Sequence, residues 1–218
     1  MEQIQKITTK FKIMRIFLLI ITLITFSSYS QTKLHTGDLL FININCGPMC
    51  EAINAVTEGY KGKDFNHMGL VVEENNTYFV FEAIGEAVVK TPLKTYLNYT
   101  KEEVYIGRLK KKYTSLIPYA IAFCQNQLGV PYDQDFLYDN GKYYCSELIY
   151  DAFKFANNNE PFFKLYPMTY KEPNSSTFFP IWVEHFNKIG IPIPEGEPGC
   201  NPGGMSLDEK ITIKPFKI

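Results

Sequence analysis

Apolar positions recur along this chain with two periods, one of a strand and one of a helix. Leu39-Leu40-Phe41-Ile42 is an apolar run of strand length and reads as a first core strand. His67-Met68-Gly69-Leu70-Val71-Val72 and Tyr78-Phe79-Val80-Phe81-Glu82-Ala83 are two β-rich runs, and the polar stretch Glu73 to Thr77 between them suits a tight turn. They predict an antiparallel hairpin. Glu86 to Lys90 and Val104 to Leu109 predict two further strands, with a short helix over Pro92 to Tyr99 between them.

The helical period appears three times. Pro48 to Thr57 places Met49, Ala52, Ile53 and Val56 on one face before the stop signal Glu58-Gly59. Ser115 to Leu128 predicts a longer helix with the stripe Ile117, Ile121, Cys124 and Leu128, Pro118 in its first turn and Gly129 as terminator. Cys145, Leu148, Ile149, Ala152, Phe153 and Ala156 make the clearest amphipathic segment of the chain. The tail from Glu160, rich in Pro, Gly and aromatics, predicts at most a turn or two of helix near Phe179 to Phe186 and otherwise a wrapping over the surface.

The N-terminus carries a different signal. Lys6, Lys10, Lys12 and Arg15 precede the apolar run Ile16 to Phe26, and Ser28 and Ser30 follow it at the −3 and −1 positions of a cut before Gln31. This is the pattern of a secretory signal peptide, its apolar core well short of the ~20 residues of a membrane-crossing helix. The expectation is a signal at 1–30, one domain at 31–218, and a periplasmic or secreted protein; an uncleaved anchor is the competing reading. Without residues 1–30 the chain has 18 basic and 22 acidic residues, a balance that invites neither nucleic acid nor an anionic membrane. Five cysteines are an odd number for an oxidising compartment and leave at least one thiol unpaired within the chain. Cys46 and Cys50 are spaced for a local disulfide, and the neighbourhood, with only His35 as a third ligand, does not suit a metal.

Three residues could carry chemistry together. A hairpin turn centred between Asn75 and Asn76 puts His67 diagonal to Glu82 on one face, with Gly69, Val71, Val80 and Ile84; a turn centred between Glu74 and Asn75 would set the pair directly opposite, and a loop of odd length would separate them. Cys145 opens a helix whose stripe must face the core. Unpaired N–H groups and the dipole at a helix start favour a thiolate and can receive an oxyanion. Thiolate, imidazole and a carboxylate that orients the imidazole are the parts of a nucleophilic Cys-His-acid site. Cysteine on an apolar stripe is more often a core residue, and histidine beside a strand is often structural, so spacing alone leaves both readings open. Cys124, in mid-stripe, reads as core.

His67 within Asp64-Phe65-Asn66-His67-Met68-Gly69-Leu70-Val71, preceded by Gly37-Asp38-Leu39-Leu40-Phe41 and followed by Tyr144-Cys145-Ser146-Glu147-Leu148-Ile149, resembles the YiiX-like family of permuted papain-like amidases in the NlpC-type superfamily of cysteine hydrolases. The resemblance spans Leu34 to Phe155, with Asn201-Pro202-Gly203 a weaker match in the tail. It implies an α+β, circularly permuted papain-like fold with an antiparallel sheet packed against helices. It implies Cys145 as nucleophile, His67 as base and Glu82 as orienter, with Asp64 and Asp133 as other carboxylates for the last role. No cofactor or metal is expected. The substrate expected by analogy is a small peptide, an amide or a cell-wall stem peptide. An acyltransferase or thioesterase acting on lipid-like esters, and a peptide- or amino-acid-binding protein without turnover, are the competing readings.

Overall fold

The structure is a computed structural model that describes residues 32–216; the expected signal at 1–30 lies outside the described residues. Six strands form one sheet: β1 (Leu39–Ile42), β2 (His67–Glu74), β3 (Thr77–Ile84), β4 (Ala87–Pro92), β5 (Val104–Leu109) and, after a short β6 (Tyr166–Pro167) and β7 (Pro198–Gly199) that pair with each other, β8 (Ile211–Phe216). The order is β4-β3-β2-β1-β5-β8 and each neighbouring pair is antiparallel. Among the described residues six α-helices join them: α1 (Pro48–Val56), α2 (Leu93–Leu97), α3 (Ile117–Asn126), α4 (Cys145–Ala156), α5 (Pro180–Ile189) and α6 (Pro202–Ser206).

Side-chain alternation splits the sheet into two faces. Leu39, Phe41, Met68, Leu70, Phe81 and Ala83 share one buried cluster with Leu148, Ile149, Ala152 and Phe153 of α4. Leu40, Ile42, Val71, Val80 and Ile106 make a second cluster with Tyr96 of α2. This is why β1 reads as an unbroken apolar run: it is central and buried on both faces.

The β2-β3 turn is the two-residue one, with Asn75 at φ 49° and Asn76 at φ 60° and Glu74 paired with Thr77. Positive φ at both central residues is the geometry that matches the twist of a tight hairpin, and asparagine tolerates it better than most side chains. Gly37 takes φ 91° against the side chain of Ile117, and Asp38 receives Arg108 of β5 through two hydrogen bonds of 2.7 Å. The Gly-Asp pair thus turns the chain into β1 and clamps it to β5.

Two expectations are corrected. The helix expected over Ser115–Leu128 begins at Ile117, after a 3-10 stretch Lys111–Leu116, and ends at Asn126, so Leu128 is 37% exposed. The buried stripe of α3 is Ala120 and Cys124, while Ile121 packs only partly against the core. The tail does not merely wrap the surface. Phe162, Phe163, Tyr170, Trp182 and Phe186 are buried in the main core, and β8 extends the sheet beside β5 with Ile211 and Ile213 inward. Pro215 hid this strand, yet β8 is an edge strand, where a missing N–H is tolerated.

Candidate active site

His67 is the first residue of β2, and register sets its neighbours. Gly69 is the residue opposite Glu82, because the pairs run from Leu70 and Phe81 to Glu74 and Thr77 in strict order. A side chain at 69 would strike Val80 and stand 2.7 Å from the Phe81 carbonyl oxygen. Glycine there leaves the space in which His67 and Glu82 meet diagonally. Their contact is short, 2.5 Å from Nε2 to Oε2, and both side chains are buried. The second carboxylate oxygen accepts the Tyr99 hydroxyl at 3.3 Å, and the rings of Tyr96 and Tyr99 lie 5.7 Å and 6.3 Å from the imidazole.

Cys145 arrives from the other face of the sheet. The apolar stripe of α4 covers the cluster of Met68 and Leu70, which brings the helix start over the beginning of β2. The Cys145 thiol is directed at the Asn66 carbonyl, 3.9 Å away, one residue before His67. Burial would lower the His67 pKa. Hydrogen bonding and charge from Cys145 and then Glu82 outweigh it, and the imidazole is pushed up to about 9. At neutral pH His67 therefore holds its proton beside the sulfur.

Two supports tie this arrangement to its surroundings. The Asn66 side chain accepts Ile44 N–H at 2.8 Å and donates to Asn43 Oδ1 and the Ile44 carbonyl, fixing the residue before His67 to the loop after β1. That loop is clasped by the Cys46–Cys50 disulfide, which forms as the spacing allowed. On the Cys145 side, Glu147 accepts N–H groups from Tyr144 and from Asp139, binding the helix start to the loop before it. Its burial, with help from the charges of Asp133 and Asp151 and against its backbone hydrogen bonds, raises its carboxyl to about 8.

The other candidate carboxylates lie elsewhere. Asp64 is exposed. Asp133 is buried, but it accepts the N–H groups of Asp135 and Leu137 and the Asn140 amide, and so organises the loop leading to Cys145. Of the remaining cysteines, Cys124 is the core thiol that its stripe predicts, fully buried and pushed up by burial, and Cys200 is a further buried free thiol. Among the tyrosines near Cys145, Tyr143 packs on Phe123, whereas Tyr132 and Tyr144 line a cavity of about 60 Å³ that Cys145 also lines. Asn66, Tyr99 and Glu147, and the cavity walls Met168, Trp182 and Cys200 from the tail, carried no sequence signal that singled them out. Among the described residues no group of three or more His, Cys, Asp or Glu is placed to hold a metal ion.

An antiparallel sheet whose strand histidine precedes a cysteine at the start of a helix defines the permuted papain-like class of fold. Comparison with known proteins agrees. The family described as permuted papain-like amidase enzyme, YaeF/YiiX, C92 family, matches residues 33–213, and the chain belongs to this family. It is 29% identical over 141 residues to the uncharacterized protein YiiX of Escherichia coli K12, an alignment covering 64% of this chain and 67% of that one. The crystal structure of metalloprotein yiiX from Escherichia coli O157:H7 superposes with a TM-score of 0.67 at 24% identity, over 85% of this chain and 99% of that one.

Proposed function

We propose that the protein is an exported cysteine amidase in which Cys145 is the nucleophile, His67 the general acid and base, and Glu82 the group that orients His67. The observation that carries this reading is the buried His67–Glu82 pair set beside the Cys145 thiol. The Cys145 sulfur attacks the amide carbonyl carbon, and the charge that develops on oxygen falls near the free N–H groups of the first turn of α4. His67 gives its proton to the leaving nitrogen, the C–N bond breaks, and the acyl group stays on sulfur. Neutral His67 then takes a proton from water, hydroxide attacks the thioester carbonyl, and the acid leaves as the sulfur regains its charge. Glu82 favours the imidazolium and holds the ring in the tautomer that serves both steps.

Export rests on the N-terminal pattern of basic residues, apolar run and Ser28/Ser30. A peptide, a peptidoglycan stem peptide or a small amide is the substrate class that family analogy supports. The solved Escherichia coli protein is described as a metalloprotein. The donor set among the described residues of this chain does not fit such a centre, and no step is routed through one.

Iodoacetamide labelling of the purified protein tests the reading, with cysteines located by mass spectrometry. Cys145 should alkylate quickly below neutral pH, and incubation with an amide substrate should leave an acyl adduct on Cys145. Labelling of Cys145 as slow as that of Cys124, with no adduct from a broad amide panel, would leave a binding protein as the better reading.

A further inference from the structure

Two spaces of different character lie side by side, and Cys145 lines one of them. The cavity that Cys145 lines has a volume of about 60 Å³ and apolar walls from Ile53, Phe136, Met168 and Trp182. A dry cavity of ~150 Å³ holds one benzene ring, so by proportion this one admits roughly two or three carbon atoms. Val56, Thr57 and Asn201 form part of its wall and also part of the wall of a neighbouring cleft of about 520 Å³. The cleft is of the opposite kind. Glu58, Lys164, Asp208, Glu209 and Lys210 line it, with Lys210 on Asp208 at 3.3 Å and both signs of charge represented.

We propose that the substrate is an amide joining a short apolar acyl group, of three or four carbons with the carbonyl carbon counted, to an amino acid or short peptide that bears both ammonium and carboxylate groups. The inference rests on the amidase reading and names the substrate class of that site. The acyl group remains bonded to sulfur after the first step, so it must occupy the space the sulfur lines. The leaving part must depart, and the open cleft lies across the shared Val56, Thr57 and Asn201 wall with charges of both signs that suit a zwitterion. Each methylene buried in the apolar cavity adds about fourfold to binding until the cavity is full. Beyond that, overpacking takes over.

The test is a series of acetyl, propionyl, butyryl, hexanoyl and octanoyl amides of one zwitterionic dipeptide, and the same acyl groups on an uncharged amine. The expected optimum of kcat/KM is propionyl or butyryl, with octanoyl lower by at least about tenfold, and with a higher KM for every uncharged amine. Met168→Ala, which widens the cavity alone, should move the optimum to a longer chain. A rate that climbs steadily to octanoyl, equal KM values for both amines, or an optimum that Met168→Ala leaves in place would each overturn the proposal. If none of the series is cleaved while Cys145 alkylates rapidly, this substrate class is wrong and the amidase reading stands. If Cys145 is also inert, both fall.

Discussion

Cys124 and Cys145 are both buried thiols on the apolar stripes of helices that pack against each other, α3 and α4. Composition and exposure do not separate them. Position does. Cys124 sits in the last turn of α3, where backbone N–H groups are already used, and burial pushes its thiol up against the pull of a backbone hydrogen bond. Cys145 is the first residue of α4, where amides are unspent, and it meets the end of a strand that supplies His67. What sets Cys145 apart is a helix terminus brought over a strand terminus, which places its thiol beside His67.

The sharpest way to break the contrast is to remove each sulfur. Cys145→Ala should lower turnover by on the order of 10⁶-fold, the scale seen when a nucleophile is deleted from a hydrolase, while circular dichroism shows a retained fold. Turnover that survives would show that sulfur 145 is as passive as sulfur 124. Glu82→Gln should come next, with a loss of ~10²–10⁴-fold in kcat and a smaller change in KM. Asp64→Asn should leave kinetics near wild type, and Asp133→Asn should act mainly on thermal stability by loosening the loop it holds. Equal kinetic losses for all three would remove Glu82 from its role.

The third effect is on stability as pH rises. His67 keeps its proton in the folded protein to about 9 but in the unfolded chain only to 6.5, so its stabilising contribution is full below pH 6.5 and is lost on the way to pH 9. Glu147 keeps its proton to about 8 when folded and to 4.5 when unfolded, so its contribution fades over that lower range. Melting temperature should fall continuously from pH 5 to pH 9. Glu147→Gln should flatten the lower part of that curve, and Cys145→Ala, which removes a partner that raises His67, should flatten the upper part. A melting temperature that rises with pH would contradict both assignments. The smallest effect belongs to Cys124→Ala: about 1 kcal/mol of stability in urea unfolding, the cost of losing one methyl-sized group from a packed core, with turnover nearly intact.

The parts of the molecule legible in the sequence are those set by local rules. Period-two alternation and the Asn75-Asn76 turn placed His67 diagonal to Glu82, and the stripe of α4 aimed Cys145 inward. What escaped reading depends on contacts between distant segments. Asn66 acts through the loop at Asn43 and Ile44, Tyr99 comes from beyond α2 to meet Glu82, and the cavity walls Met168 and Trp182 come from a tail that looked like surface. No periodicity marks Asn66, Tyr99 or Met168, because each contributes one side chain from an irregular stretch, whereas Trp182 stands on α5, a helix longer than the turn or two expected there. The α3 boundary failed for a related reason: the apolar residue at 128 continues the stripe on paper, but the chain has already left the helix at Gln127.

The position of β8 bears on how the molecule comes into being. Leu109 pairs with Ile211, roughly a hundred residues later, so β5 waits with one edge open while nearly half of the chain is synthesised. An open strand edge in a partly made protein is a template for pairing with another copy. Synthesis that stalls before residue 211 would therefore release a chain able to form its β2-β3 hairpin but left with an adhesive border. Ribosome-stalled lengths ending just before and just after β8 should differ abruptly in aggregation and in resistance to protease.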